Sequence, residues 1–295
     1  MPSTLGNVTV IGCGLIGGSL VKSLRARGAA SRVAAIDVGP VLGAAARYLD
    51  ESAEIGSDKA TALVETSDLV ILAVPIGAIM GSLGPVLTTI RQGATVTDTG
   101  SVKKPIVAAA RPHPNAGRFV GGHPMAGREV GGFEASSAEL FERARWFWIE
   151  GTADPDAIDR VIALAGAVGA TPVPIEAEAH DRAMAYVSHA PQLIASAVYA
   201  AAAKKGVLDQ AGPGFRDVTR ISGGPATTWR DIFETNRDDL AAALGDVLAP
   251  LIDLRDRLAA GDEKAISFAM ALLDDAYTAK ALRHSQTPAK GDPSS

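Results

Sequence analysis

Two stretches of this sequence hold residue types that could do chemistry together: Gly12-Cys13-Gly14-Leu15-Ile16-Gly17-Gly18 and, well downstream, Gly121-Gly122-His123-Pro124-Met125-Ala126-Gly127-Arg128-Glu129. The first has the spacing of a loop that cradles dinucleotide phosphates. The second offers an imidazole flanked by glycines. An unperturbed imidazole titrates near about 6.5, so it can take a proton at working pH. A dinucleotide that accepts a hydride and a base that accepts the hydroxyl proton are the two halves of an alcohol oxidation. His123 is therefore the candidate catalytic base.

Gly12, Gly14 and Gly17 follow the apolar run Val8–Ile11 and open a helix. The first glycine permits the tight turn, the second lets backbone approach a pyrophosphate, and the third lets helix and strand pack closely. The helix N-terminus then turns its amides and partial positive charge towards the phosphates. Leu15 and Ile16 between these glycines, and Val74 and Pro75 after the run Asp68–Val74, complete the expected cofactor-binding set. Asp37, at the end of the next strand, would accept hydrogen bonds from both ribose hydroxyls and repel a 2′-phosphate. That favours NAD over NADP. Arg32 lies at the far end of that strand and Gly39-Pro40 offers no cation. The plainer alternative is that Asp37 caps the following helix.

Asp98-Thr99-Gly100-Ser101-Val102-Lys103 follows another apolar strand, at the sheet edge where open α/β folds bind ligands. Ser101 can donate to, and accept from, a substrate hydroxyl or the histidine, and Lys103 can hold a carboxylate. As ordinary residues they would be a helix cap and a solvated charge. Ser188 and Gln192 stand four apart on one helix face, with His189 turned aside as a histidine that packs or supports the site residues and is not itself the base. Arg220 can grip a carboxylate in bidentate fashion, or simply pair with Asp217. The five histidines show no metal-ligand spacing, so no metal is expected, and no GxSxG elbow occurs.

These residues need a scaffold. Val8–Ile11, Arg32–Ile36, Asp68–Val74, Ala94–Thr97, Phe119–Val120 and Trp146–Ile149 read as strands. Ser19–Arg27, Val41–Tyr48, Ile76–Thr89 and Lys104–Ala110 read as the helices between them. This alternation predicts an α/β fold: a Rossmann-type doubly wound parallel sheet over residues 1–176. A helix over Asp154–Val168 and a proline-bearing edge strand, Thr171–Ile175, close it. Residues 177–285 show helical periodicity only, rich in Ala and Leu, and predict an all-helical domain whose Ala-rich faces suit close packing of helices, between subunits among them. Residues 286–295 read as a polar tail.

Composition narrows the function classes. The chain has 295 residues, 47% hydrophobic and 21% charged, enough for two domains. Its net charge of -5 and lack of basic runs exclude nucleic acid as a first expectation. The single cysteine, Cys13, fits a reducing cytoplasm. The N-terminus has no secretory pattern, and the most apolar run, Leu69–Met80, is too short to span a bilayer. A soluble, cytoplasmic protein is expected.

Taken together, the segments GCGLIGGSL, Asp37, DTGSVK, GGHPMAGRE, HDR, SHAPQ and GFRDVTRI with TWRDI resemble the prephenate/arogenate dehydrogenase family of tyrosine biosynthesis. The likeness runs from about residue 6 to residue 240. It implies NAD-linked oxidative decarboxylation: a ring hydride goes to NAD, the C4 hydroxyl loses its proton, and the C1 carboxylate leaves as CO2. It implies His123 as the proton acceptor, Ser101 bonded to that hydroxyl or its histidine, and Arg220 on a substrate carboxylate assisted by Lys103. Glu129 matches a position that gates the cleft, and the helical domain matches a dimerisation domain. Prephenate-preferring members often carry a second histidine where this chain has Gln192. A neutral amide can accept from the ammonium of arogenate, so Gln192 tilts the expectation towards arogenate or dual use. The chain ends without room for an ACT-type regulatory domain, so feedback through one is not expected. The nearest rivals are 3-hydroxyacid dehydrogenases and pyrroline-carboxylate reductases, to which Lys204-Lys205 could point. A different class is a non-catalytic NAD-binding sensor.

Overall fold

The computed structural model describes residues 5–151, 153–224 and 226–286. Strands β1 (Asn7–Ile11), β2 (Arg32–Asp37), β3 (Glu51–Glu54), β4 (Leu69–Leu72), β5 (Thr95–Asp98) and β6 (Phe119–Val120) form one parallel sheet in the order β3-β2-β1-β4-β5-β6. Helices α1 (Leu15–Arg27), α2 (Gly39–Ala45), α3 (Asp58–Glu65), α4 (Ile76–Thr89) and α5 (Lys104–Ala110) connect the strands. Alternate residues of one strand enter two different cores. Val70 and Leu72 pack with Ile79, Leu83 and Ile106, whereas Leu69 and Ile71 pack with Val10, Leu20 and Leu24. Period-two alternation with both faces apolar is what helices on both faces require, and the doubly wound sheet is as expected. The strand order reverses between β1 and β4, which opens a crevice at the carboxyl ends of the strands.

Two parts of the sheet differ from the sequence reading. β3 was not foreseen, because Glu51-Ser52-Ala53-Glu54 is short and polar; it lies at the sheet edge. The segment Trp146–Ile149 does not extend the parallel sheet. It belongs to β8 (Arg145–Ile149), in a second sheet with β7 (Gly122–Pro124) and β9 (Thr171–Ile175). β7 and β8 run antiparallel, β8 and β9 parallel, and β9 with its two prolines takes the edge. Helix α6 (Pro155–Ala167) connects β8 to β9.

β7 carries His123, and it is held against β5 by a buried carboxylate. Asp98 Oδ1 accepts from the Gly122 amide at 3.0 Å. A Cβ at Gly122 would lie 2.6 Å from the Asp98 carbonyl oxygen, so only glycine lets the two strands approach this closely.

Beyond residue 176 every regular element is helical among the described residues: α7 (Ala177–Met184), a π turn at Ala185–His189, α8 (Ala190–Lys205), α9 (Pro213–Thr219), α10 (Ala226–Thr235), α11 (Arg237–Ala259) and α12 (Ala265–Gln286). The chain divides into two compact units, one through Leu240 and one from Ala241. Packing thus keeps α7 to α10 with the sheet. Ile232 is buried in the core that contains Ile79 and Leu83, and Asp231 accepts from the Gly77 amide at 3.1 Å. In the second unit Arg257 bonds Asp253 and Asp262, each at 3.0 Å, and lies over the Phe268 ring. The expected tail, apart from Gln286, lies outside the described residues. No helix among the described residues is long and apolar enough to cross a membrane.

Candidate active site

The glycine loop separates packing glycines from an open one. Gly12 has φ +93°, and a Cβ there would lie 2.5 Å from the Ala73 carbonyl oxygen and 2.7 Å from Val74 Cγ1. A Cβ at Gly17 would collide with the Gly12 carbonyl oxygen. A Cβ at Gly14 would meet nothing within 4 Å. Gly12 and Gly17 therefore let β1, β4 and α1 close up, and Gly14 leaves space beside the start of α1. No side chain caps that helix, whose first turn begins with Leu15 and Ile16. Val74 and Pro75 lie in the connection that follows β4, Pro75 as the residue before α4. The loop is a cradle that fits a dinucleotide phosphate.

Asp37 closes the cradle from β2. Its Oδ2 accepts from the Cys13 amide at 2.5 Å, and its Oδ1 from the Val38 amide at 2.7 Å. It does not cap α2, so the plainer alternative for this residue does not hold. Burial and the Asp37 charge push the Cys13 thiol up to about 12, which leaves it protonated and unreactive.

His123 is partly buried on β7, and its Nδ1 lies 2.8 Å from His180 Nε2. His180 Nδ1 in turn lies 2.7 Å from Asp181 Oδ1. Asp181 reaches back to the start of α5: Oδ1 accepts from the Lys103 amide at 2.6 Å and Oδ2 from the Lys104 amide at 2.8 Å. His180 and Asp181 have no exposed surface. Burial holds the His123 imidazole well below the usual histidine range, and the neighbouring His180, Lys103 and His189 add to the effect. Burial also lowers His180, against the opposing pull of Asp181.

Lys103 requires a correction. Its side chain is fully buried, and its ammonium bonds the Asp98 carboxylate and, at 2.7 Å, the Gly122 carbonyl. It is neither the solvated charge nor the substrate ligand that the sequence suggested. Its charge is spent on the carboxylate that anchors β7, because a buried ammonium needs a counter-ion nearby. Ser101 sits partly buried in the loop between β5 and α5, two residues before this lysine.

The remaining expected residues come from helices. Ser188 is partly buried in the π turn, and Gln192 is nearly buried on α8, where a Cβ at Gly224 would lie 3.8 Å from its Nε2. His189 is fully buried against Trp229, and its Nδ1 lies 3.2 Å from Asn236 Nδ2, which also donates to the Asp181 carbonyl at 2.8 Å. It packs against Trp229 and, through Asn236, supports the backbone of Asp181. Arg220 pairs with Glu129 and not with Asp217. The structure therefore brings His123, Lys103 and the SHAPQ histidine into one network and joins Arg220 to Glu129. Sequence reasoning gave no role to Asp98, His180, Asp181 or Asn236. The HDR triplet and the aspartate of DTGSVK were visible, but neighbours in space are not neighbours in sequence.

The chain matches the family model for the prephenate dehydrogenase nucleotide-binding domain over residues 20–173. It matches the model for the prephenate dehydrogenase dimerisation domain over residues 176–272. It is 30% identical to the Bacillus subtilis prephenate dehydrogenase over 79% of its own length, and spans 65% of that protein. Among solved structures it resembles the A. aeolicus prephenate dehydrogenase bound to hydroxyphenyl propionate and NAD+, with a TM-score of 0.81 at 27% identity, covering 94% of this chain and 98% of that one. The Synechocystis arogenate dehydrogenase gives 0.73 at 25% identity, covering 92% and 99%. These likenesses displace the 3-hydroxyacid reading, and the chain belongs to the prephenate dehydrogenase family of oxidoreductases.

Proposed function

We propose that this protein catalyses NAD-linked oxidative decarboxylation of prephenate, arogenate or both, with His123 as the base. The observation that carries the reading is the environment of His123. Its Nδ1 is engaged by His180, no described residue bonds its Nε2, and burial keeps the ring in the neutral form that a base requires. Gly14 and the first-turn amides of α1 would hold the cofactor phosphates, and Asp37 its adenosine ribose, in preference to the 2′-phosphate of NADP. When bound, NAD supplies the hydride acceptor.

His123 takes the hydroxyl proton as the ring C4–H bond breaks towards the cofactor. The C1–carboxylate bond then gives its electrons to the ring, CO2 leaves, and the product is aromatic. His123 hands its proton back to the oxygen that becomes the phenol, so no net proton is released. Ser101 orients that hydroxyl or the imidazole. Arg220 holds a substrate carboxylate, and Glu129 occupies its guanidinium until substrate arrives. Gln192 and Ser188 face the side chain that distinguishes the two substrates, and the Gln192 amide favours the arogenate ammonium. A homodimer is supported by the match to a dimerisation domain and by exposed apolar side chains along α12, among them Ile266, Met270, Leu273 and Tyr277.

The test is NADH formation by the purified protein with prephenate and with arogenate, with NADP as control. Turnover of either supports the reading. Binding of NAD without turnover of either would point instead to a sensor.

A further inference from the structure

We propose that His180 and Asp181 are positioning residues that fix the tautomer of His123, leaving the Nε2 lone pair as the acceptor of the substrate proton. The inference deepens the reading of His123 as base and rests on it for its catalytic meaning. It follows from counting donors and acceptors along a buried chain.

Asp181 accepts from three donors: the Lys103 amide, the Lys104 amide and the His180 ring. A carboxylate so engaged has nothing to donate. His180 Nδ1 must therefore carry the proton in the 2.7 Å contact with Asp181. A neutral imidazole has one N–H, so His180 Nε2 is a lone pair. The 2.8 Å contact with His123 then requires His123 Nδ1 to be the donor. The lone pair of His123 is left on Nε2, the nitrogen that no described residue bonds. Full burial of His180 supports its neutral form, because a charged ring there would lack water.

The charges around this chain are balanced. Lys103, from the loop before α5, is paired with Asp98 of β5, and His189, from the π turn, is bonded to Asn236 and buried neutral. Asp181 is thus the negative charge available to the ring pair. When His123 becomes imidazolium, Asp181 offsets the charge through His180. The chain ends inside the protein, since Asp181 has no exposed surface and its oxygens meet backbone amides. It holds a borrowed proton and does not drain one to solvent, as the net reaction requires.

The experiment has two arms on the full-length protein with NAD. Nitrogen-15 NMR of the histidine rings at neutral pH should show both His123 and His180 protonated on Nδ1, with unprotonated Nε2. A His123 protonated on Nε2 overturns the proposal, whatever the variants do. In the kinetic arm, Asp181→Asn and His180→Phe should lower kcat by about 10²- to 10⁴-fold and about 10- to 10³-fold, with NAD affinity and substrate KM within about threefold of wild type. Variants that bind NAD normally and retain kcat overturn the positioning role, while loss of turnover in His123→Asn would still uphold the base. Retained turnover in His123→Asn instead removes the base, and with it the proposal's catalytic meaning.

Discussion

Arg220 at the end of α9 and Glu129 in the segment after β7 form an ion pair although 91 residues separate them. Both side chains are largely exposed, at 67% and 44%, so the pair adds little to stability. Its significance lies in what Arg220 could hold instead. Replacing Arg220 by Ala should raise the substrate KM by roughly ten- to a hundredfold, with a smaller change in kcat, because a bidentate charge-assisted contact is lost. Glu129→Gln should change KM by less than about fivefold and leave the urea midpoint unmoved. Steady-state kinetics on both variants checks this, and an unchanged KM in Arg220→Ala would count against a carboxylate clamp.

Lys103 gives a prediction of the opposite kind. Its ammonium has no exposed surface and neutralises Asp98, which carries both the Gly100 and Gly122 amides. Lys103→Met leaves a buried carboxylate without its counter-ion, a loss of about 3 to 5 kcal/mol. The expected result is a markedly lower urea midpoint or failure to accumulate as folded protein. A variant that unfolds like wild type but binds substrate poorly would return Lys103 to the role the sequence suggested.

The contrast shows what could be read from the chain alone. The glycine loop, five of the six strands of the parallel sheet and the helical second half are periodic or local features. Their physical causes, strand alternation and turn geometry, act over a few residues. β3 escaped because Glu51-Ser52-Ala53-Glu54 lacks an apolar signature, its strand pairing being set by β2. Lys103 and Arg220 show a deeper reason. A lysine looks the same in sequence whether its ammonium meets solvent or a buried aspartate. Arg220 sits three residues from Asp217 in sequence yet finds Glu129, because tertiary contacts decide which charge is nearest. His180 and Asp181 belonged to a visible motif, but their role depends on the Lys103 and Lys104 amides, which only folding brings to them.

Asp37 should govern cofactor choice. Its carboxylate already orders the loop through the Cys13 amide and lies at the carboxyl end of β2. Asp37→Ser should lower the ratio of kcat/KM for NAD over NADP by at least about tenfold, since a repelling charge and a ribose acceptor are both removed. A wild-type enzyme that already prefers NADP would sink this reading.

Acid should destabilise the fold through buried histidines. Burial pushes His189 down to about 4, whereas in the unfolded chain it titrates near its ordinary 6.5. Above that value both states hold a neutral ring, and this group contributes no pH dependence. Between about pH 6.5 and 4 the unfolded chain binds a proton that the folded chain refuses, so stability falls, by up to about 3 kcal/mol for this residue. His123 and His180, also lowered, add in the same direction. Urea titrations at pH 7.5, 6 and 5 should show the decline, and His189→Gln should flatten it. A profile unaltered in that variant would mean that other groups carry the acid sensitivity.

Gln192 is nearly buried, at 7% exposure, so whatever it meets must satisfy its amide within the protein or the substrate. An amide oxygen can accept from an ammonium, whereas an imidazole that gains a proton repels one. Gln192→His should therefore shift the ratio of kcat/KM for prephenate over arogenate upward by about fivefold or more, chiefly by weakening arogenate. Measuring both substrates with wild type and variant, at saturating NAD and at a pH where the new imidazole is partly charged, separates this from a general loss of activity. If the two substrates suffer equally, Gln192 shapes the helix packing around Gly224 and does not read the substrate side chain.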